Sequence, residues 1–324
     1  MTKFVVKTIE NLEDVAINEI RELLNEKASK LCKGRVVFDA DKIDKIVKNA
    51  KSIYAVYELI REFEFLSIED IIENIKDVDF SFICSDFVVR CSRGGNHNFN
   101  SNEVERRVGE IIASRGYKVN LRSNRIVYVD LIKNICMIGI LISDNLGKRS
   151  YRVKIINQSI KPIIAYSLLR ISDYKKKESL LDPFCKDGVI LVEAGLLGGK
   201  KLYGFDNENN IRNARINAAM AKIKINFYAQ DESYDFKEKN IDRIITSIPF
   251  ITKRSNENRI KKILENFFGR TCRHAKKIVG IITRNDSHVK ELAEKYGLKL
   301  IENKSFKIGE ENNSIMVFKP QKGN

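Results

Sequence analysis

The sequence has few of the residues that build metal centres. It contains only three histidines and six cysteines among 324 residues. No two cysteines form a Cys-x-x-Cys pair, and no histidine and cysteine show the sequence spacing of zinc ligands. Zinc sites in proteins usually show such spacings. We therefore expect no metal site, and we expect free thiols of the kind that a reducing cytosol maintains. The cysteines are Cys32, Cys84, Cys91, Cys136, Cys185 and Cys272.

Long apolar runs and targeting signals are also missing. The longest apolar run, around residues 135–142, falls well short of the ~18 residues that a membrane-spanning helix needs. The first residues, Met1 to Phe4, lead directly into a strand-like segment, so no signal peptide is expected. The sequence thus predicts a soluble protein located in the cytoplasm.

The composition favours a globular protein with a polyanionic partner. Hydrophobic residues make up 43% of the chain, which is enough to bury a sizeable core. The 58 Lys and Arg residues against 43 Asp and Glu residues give a net charge of +15. Such an excess of positive charge favours nucleic acid as the partner. The alternative is a lysine-rich composition that is unrelated to binding and gives the same net charge. The length allows two or three domains of roughly 100–200 residues each.

Three predicted strands in the second half end in chemically distinctive residues. The first strand is followed by an acid, a proline and a tight turn, which lead into a helix. Together these segments cover residues 180–194. The second covers residues 201–206, and the third runs into a Ser-x-Pro-Phe turn at residues 241–250. Parallel strands place such ends side by side, where nucleotides bind. The end residues are Asp182, Asp206 and Ser247.

These strand ends resemble those of S-adenosylmethionine-dependent methyltransferases with Asp-Pro-Phe-Cys-Gly-x-Gly and Asn/Asp-x-Pro-Tyr/Phe motifs. The matching segments are residues 182–188 and residues 247–250. The resemblance implies a Rossmann-like class I methyltransferase domain of the α/β class, with S-adenosyl-L-methionine as cofactor. Two residues depart from the pattern, because Lys186 replaces a glycine and Ser247 replaces the Asn or Asp.

The resemblance also implies a role for each matching residue. Asp182 is expected to bind the methionine ammonium, Asp206 the ribose hydroxyls and Asp231 the adenine amino group. The alternatives are an ordinary strand-end acid for Asp182 and a solvated turn residue for Asp231. The expected cofactor-binding residues are Asp182, Pro183, Phe184, Gly188, Asp206, Asn207 and Asp231. The expected catalytic residues are Ser247, Pro249 and Phe250, with Ser247 accepting a hydrogen bond from the acceptor amine and Phe250 stacking on the base.

A predicted loop in the first half, at residues 90–103, contains Arg90-x-x-Arg93-Gly94 and His97-x-Phe99-x-Ser101-x-Glu103. These residues resemble a THUMP domain, an RNA-binding module of tRNA-modifying enzymes. A strand-helix-strand-helix pattern over residues 1–60 resembles the ferredoxin-like domain that precedes THUMP. His97 has a hydrogen-bonded loop cap as its alternative, and core packing is favoured for Phe99. The expected RNA-binding residues are Arg90, Arg93, His97, Arg152, Lys186, Lys253 and Arg254.

The complete prediction has four segments and one leading function. The segments are an α+β ferredoxin-like domain (1–60), a THUMP domain (61–147), a linker and helix (148–175) and a methyltransferase domain (176–324). The predicted function is methylation of an exocyclic base amine in tRNA, with guanine N2 favoured, by a monomer. The alternatives are another acceptor atom and an RNA-binding protein whose methyltransferase domain is inactive.

Overall fold

The computed structural model describes residues 1–229, 241–250 and 256–321. The chain divides into two compact units, residues 1–146 and residues 147–324. Among the described residues, no helix is both long enough and apolar enough to cross a membrane.

The first unit is an α+β unit built on one eight-stranded sheet. The strand order is β2-β3-β1-β4-β8-β7-β5-β6, with β5 parallel to β6 and β7 and the other pairs antiparallel. The elements are β1 Thr2–Lys7, α1 Glu13–Leu24, β2 Ala28–Cys32, β3 Arg35–Ala40, α2 Asp44–Asn49, β4 Ala55–Glu64, α3 Ile68–Ile75, β5 Asp86–Gly94, α4 Ser101–Ser114, β6 Lys118–Val119, β7 Ile126–Ile132 and β8 Ile135–Ser143.

Two of the hydrophobic clusters in this unit belong to separate parts of the sheet, and a smaller one with Tyr57 and Tyr128 spans both parts. Of the two separate clusters, one includes Phe4, Ile20 and Ile46, and the other includes Ile71 and Val108. Pairing of β4 with β8 joins the parts of the sheet that belong to the two clusters. The expected ferredoxin-like and THUMP segments thus have their own cores but share one sheet, and the exact boundary at residue 60 stays a prediction.

The second unit contains a seven-stranded sheet in the order β11-β10-β9-β12-β13-β15-β14. The first five strands of that order pair in parallel, and β15 runs antiparallel to both of its neighbours. The elements are α5 Pro162–Ile171, β9 Ser179–Asp182, α6 Val189–Leu196, β10 Lys201–Asp206, α7 Glu208–Met220, β11 Asn226–Ala229, β12 Ile241–Ser247, α8 Glu257–Asn266, a π-helical segment Phe267–Thr271, a 3₁₀ turn Cys272–His274, β13 Ala275–Thr283, α9 Asp286–Lys295, β14 Leu298–Ile308 and β15 Glu311–Pro320.

The direction in which strands are added reverses between β9 and β12. After β9 the chain adds β10 and β11 on one side, whereas β12 and β13 lie on the other side. Open α/β sheets bind ligands at such a reversal, beyond the carboxyl ends of the strands. The expected Rossmann-like α/β topology behind an α+β region is present in this sheet.

Candidate active site

The loop between β9 and α6 (residues 183–188) is tightly folded. Gly188 has φ +79°, and a Cβ atom there would lie 3.1 Å from the Cβ atom of Ala214. Its N–H donates to the Cys185 carbonyl at 2.7 Å, and the Cys185 N–H donates to the Phe205 carbonyl at 3.0 Å. Glycine is therefore required here both for the left-handed backbone and for the close approach of α7.

Asp182 ends β9 as a buried carboxylic acid that is 1% exposed. Its Oδ1 accepts hydrogen bonds from the Thr246 hydroxyl at 2.6 Å and from the Phe184 N–H at 3.2 Å. Burial raises the pKa of Asp182 to about 7, although these two bonds and the charge of Lys186 act in the opposite direction. The carboxyl group can therefore change its charge near neutral pH. Pro183 and Phe184 are partly exposed in the same loop, and the Phe184 ring packs against Phe267.

Asp206 ends β10 with both carboxylate oxygens hydrogen-bonded. Its Oδ2 accepts from the Lys186 N–H at 2.8 Å. Its Oδ1 accepts from the Asn207 N–H at 2.8 Å and from the Asn210 side chain at 2.7 Å. Asn207 also caps α7, because its side chain accepts from the Asn210 N–H. These bonds fix the orientation of Asp206 at the edge of the sheet.

Ser247 ends β12, and the side chain of Lys186 reaches it from the β9–α6 loop. The Lys186 ammonium donates to the Ser247 carbonyl at 3.0 Å and to the Ser247 hydroxyl at 3.3 Å. A third bond goes to the Gln158 carbonyl at 3.0 Å. Lys186 is only 9% exposed, and burial lowers its pKa. Because the ammonium points inward, these contacts do not support the predicted RNA contact of Lys186.

The Ser-x-Pro-Phe turn ends on an aromatic ring that a guanidinium covers on one face. Pro249 and Phe250 are both partly exposed. The Arg284 guanidinium carbon lies 3.7 Å from the centre of the Phe250 ring, a cation–π arrangement. Glu311 at the start of β15 holds Arg284 through hydrogen bonds to both of its terminal nitrogens. One face of Phe250 is thus occupied by protein.

A polar network connects the segment before α5 to the β9–α6 loop. The Arg152 guanidinium donates to the fully buried carboxylate of Asp187 at 2.9 and 3.1 Å and to the Ser159 hydroxyl at 2.8 Å. The Ser159 hydroxyl also donates to Asp187. The side chain of Arg152 is about 10% exposed. Its contacts support the β9–α6 loop, and its predicted contact with RNA stays a prediction.

Three further predicted residues, Asp231, Lys253 and Arg254, lie outside the described residues.

Arg90 and Arg93 lie on β5, which runs to Gly94, so the loop predicted at 90–103 begins later than expected, and His97 lies in it. The His97 ring nitrogen Nε2 lies 2.6 Å from the Lys133 carbonyl oxygen, and the ring stacks on Phe99 with 5.1 Å between centroids. Arg93 lies 3.4 Å from His97 and is exposed. Arg90 is also exposed and forms an ion pair with Glu105 at 3.5 Å. The contacts of His97 fit its alternative role as a hydrogen-bonded loop cap, and those of Phe99 fit packing beneath the loop. The contact of His97 with RNA stays a prediction.

The structure therefore brings together the three predicted strand ends of the second unit. Lys186 bonds to Asp206 through its N–H and to Ser247 through its ammonium, and Thr246 connects the β12 end to Asp182. Three residues of this cluster were not predicted from the sequence, namely Thr246, Gln158 and Arg284. Arg284 directly follows another parallel strand, so the rule that ligand sites lie beyond strand ends could have identified it. No sequence signal indicates the role of the Gln158 carbonyl.

In the described part of the chain, no cluster of His, Cys, Asp or Glu could hold a metal ion.

Curated relatives and solved structures resemble the chain over nearly its full length. A protein of Archaeoglobus fulgidus named tRNA (guanine(6)-N2)-methyltransferase is 26% identical and aligns with 98% of this chain and 92% of its own. A protein of the same name from Methanocaldococcus jannaschii is also 26% identical, over 90% of this chain and 93% of its own. The crystal structure of TrmN from Thermus thermophilus covers 99% of this chain and 100% of its own, with a TM-score of 0.83 at 22% identity.

Two family models match the two halves of the chain. A THUMP domain model matches residues 66–141, and a model described as RMKL-like, methyltransferase domain, matches residues 149–313. The family resemblance inferred from the sequence is confirmed by these matches and by the names of the relatives. Since the second match alone spans half of the chain, the protein belongs to the RMKL-like methyltransferase-domain family and carries a THUMP domain in its first half.

Proposed function

We propose that this protein is a tRNA methyltransferase that transfers a methyl group from S-adenosylmethionine to the exocyclic N2 of a guanine. The observation that carries the proposal is the hydrogen-bonded cluster of the β9, β10 and β12 ends at the strand-order reversal. The names of relatives that align over nearly the whole chain support tRNA and guanine N2 as substrate and acceptor.

The residues at the β9 and β10 ends fit the cofactor. S-adenosylmethionine supplies an activated methyl group on a sulfonium. Asp182 offers a carboxylate for the methionine ammonium, and Asp206 is oriented by its neighbours to accept hydrogen bonds from ribose hydroxyls. Gly188 adds no side chain where the backbone approaches the cofactor. The proposal also assigns Pro183, Phe184 and Asn207 to the walls of this site and Asp231 to the adenine.

The β12 end orients the acceptor base. Transfer requires the acceptor nitrogen to lie in line with the methyl carbon, so positioning is the principal task of the protein. The oxygens of Ser247 accept hydrogen bonds from the amine and stabilise the positive charge that develops on its nitrogen. Pro249 fixes the turn, and Phe250 stacks on the base with the face that Arg284 leaves open.

The first unit binds the RNA in this proposal. Arg90 and Arg93 on β5 are exposed and can contact phosphates, with His97 holding the loop that follows β5. Lys253 and Arg254 contact phosphates beside an extruded base. The net charge of +15 supports a polyanionic partner. A tRNA substrate also implies that the enzyme works in the cytoplasm, and we propose that it does so as a monomer.

One observation favours a second candidate, an RNA-binding protein with an inactive methyltransferase domain. The Lys186 ammonium already donates to both Ser247 oxygens that the first proposal gives to the acceptor amine. If no acceptor displaced or shared these bonds, the domain would bind RNA without modifying it.

Transfer of labelled methyl from S-adenosylmethionine to unmodified tRNA, followed by nucleoside digestion and mass analysis, separates the two candidates. We expect N2-methylguanosine from the wild type and none from Asp206→Asn. Glu294→Gln is the matched control, because it changes another carboxylate to an amide at an exposed position on α9. Cofactor binding without any methyl transfer to tRNA would favour the second candidate.

A further inference from the structure

The two residues that depart from the family motifs are in direct contact. Lys186 and Ser247 are 61 positions apart in sequence, yet the Lys186 ammonium lies 3.0 Å from the Ser247 carbonyl oxygen and 3.3 Å from its hydroxyl oxygen. The lysine replaces a motif glycine, and the serine replaces the larger Asn or Asp. Lys186 therefore places a long cationic side chain in the space that the smaller side chain of Ser247 leaves.

The conformation of Lys186 directs its side chain into the site. Its φ of +52° lies in the left-handed region, which the motif glycine adopts without cost and a lysine does not. An ammonium group has three N–H donors, and three protein oxygens accept them, from Gln158 and from the two groups of Ser247. These three hydrogen bonds stabilise the buried ammonium, because burying a charge without hydrogen-bond partners costs free energy.

The charged groups that act on the ammonium belong to several elements around it. Asp182 from β9, Asp206 from β10 and Asp187 from its own loop favour the charged form, whereas Arg284 after β13 opposes it. Burial is the largest influence and lowers the pKa of Lys186. Asp187 is also paired with Arg152. A bound sulfonium would add a further positive charge and would favour the neutral lysine.

The ammonium lies where the proposed function places the acceptor amine. Each Ser247 oxygen has a second lone pair, so an amine can bind beside the lysine. The nitrogen on which positive charge develops during transfer would then lie next to another positive charge, which disfavours that transition state. A neutral Lys186 removes this repulsion and donates fewer hydrogen bonds to Ser247.

We propose that Lys186 is a positioning residue that controls the acceptor site through Ser247, slowing methyl transfer when it is charged and permitting it when it is neutral. This inference rests on the proposed function, because it concerns the same Ser247 oxygens. It also explains why a serine stands at this position, since an Asn or Asp would have to share the space with the lysine side chain.

The test is the pH dependence of single-turnover methyl transfer at saturating cofactor and tRNA, for the wild type and for Lys186→Met. The wild-type rate constant is expected to rise by about tenfold per pH unit below the titration of Lys186. Lys186→Met keeps the chain length without the charge, so its rate constant is expected to be flat over that range and higher than wild type at the low-pH end. The KM for tRNA is expected to stay unchanged.

Two further variants complete the comparison. Lys186→Arg stays charged, so transfer is expected to be slow and independent of pH. Lys290→Met removes an exposed lysine on α9 and is the matched control. Asp182 also titrates, at about pH 7, so calorimetric titration of the cofactor over the same pH values separates its effect from that of Lys186. The proposal is overturned if Lys186→Met keeps the wild-type slope, or if it binds cofactor but transfers no methyl at any pH.

A measurement that needs no activity distinguishes failure of this proposal from failure of the proposed function. The ¹⁵N signal of the Lys186 ammonium is assigned by its absence from Lys186→Met and is then followed as unmodified tRNA and S-adenosylhomocysteine are added. We expect the signal to shift or to disappear as the acceptor base engages Ser247. An unchanged signal with tRNA bound overturns the proposal, even if the wild type methylates tRNA. If the wild type methylates no tRNA at any pH, the proposed function fails, and the signal still reports whether RNA competes for Ser247.

Discussion

The Thr246 hydroxyl donates a 2.6 Å hydrogen bond to Oδ1 of Asp182 and so connects the ends of the two central strands, β12 and β9. The bond is buried and favours the charged carboxylate, whereas burial itself raises the pKa of Asp182 to about 7. Asp182 thereby combines a role proposed for cofactor binding with a charge that changes near neutral pH.

Cofactor affinity is expected to depend on pH through Asp182. Only the carboxylate attracts the methionine ammonium, so the dissociation constant of S-adenosylmethionine should fall as pH rises through about 7. Thr246→Val removes a bond to the charged form and should move this midpoint to higher pH. Isothermal titration calorimetry between pH 5.5 and about 9 measures both effects. An affinity that is constant over this range in the wild type would show that Asp182 does not hold the ammonium.

The same buried carboxyl should lower the stability of the protein at neutral pH. The folded-state pKa of Asp182, about 7, lies above its ordinary value of 3.8, so the folded state holds this proton more tightly than the unfolded state does. Its contribution to the free energy of unfolding therefore decreases as pH rises from about 4 to about 7, by about 4 kcal/mol at most. Asp182→Asn keeps an oxygen for Thr246 and removes the charge, so we expect the variant to be more stable than wild type at pH 8. Urea unfolding at pH 5 and pH 8 measures the difference, and equal stability changes at the two pH values would contradict it.

Substitution of Gly188 should damage the β9–α6 loop. Gly188→Ala places a Cβ atom 3.1 Å from the Cβ atom of Ala214 at φ +79°, and we expect a loss of about 1–3 kcal/mol in stability together with weaker cofactor binding. Gly297→Ala is the control, because that glycine has φ +72° and no atom within 4 Å of the added Cβ. The difference between the two variants isolates the effect of crowding. Equal thermal shifts would mean that only the backbone conformation matters at Gly188.

The Phe250 ring should contribute to the rate of transfer by stacking on the base. Phe250→Ala is expected to cost about 1–3 kcal/mol of transition-state stabilisation, in keeping with the loss of one base–aromatic stack. Arg284→Met removes the cation from the other face of the ring, and we expect a smaller loss of about 0.5–1 kcal/mol. Single-turnover rates with saturating tRNA measure both changes. A larger effect of Arg284→Met than of Phe250→Ala would indicate that Arg284 contacts the substrate directly.

The strands β9, β10 and β12 could be predicted because their sequences follow simple physical rules. β9 is entirely buried, and seven of the eight residues of α6 are buried, as expected when helices cover both faces of a parallel sheet. An acid or a serine is the last residue of each of these apolar strands, and parallel pairing places these residues together. The positions of Asp182, Asp206 and Ser247 thus follow from local pattern together with one topological rule.

The contacts between side chains could not be predicted in this way. The Lys186–Ser247 contact depends on an unusual left-handed backbone at Lys186 and on a side-chain direction that no periodicity encodes. The bond between Thr246 and Asp182 depends on the register of β9 and β12, which pattern analysis does not give. The sharing of one sheet by the two parts of the first unit likewise results from pairing between distant strands, β4 and β8.

The central claim is that the chain methylates the exocyclic amine of a guanine in tRNA. The most direct measurement maps the methylated nucleotide in an unmodified tRNA transcript and then repeats the reaction with a transcript carrying inosine at that position. Inosine lacks the exocyclic amine but otherwise keeps the guanine ring. We expect N2-methylguanosine in the first transcript and no methyl transfer to the second. Undiminished transfer to the inosine transcript would contradict it, because the methyl group would then be attached to another atom.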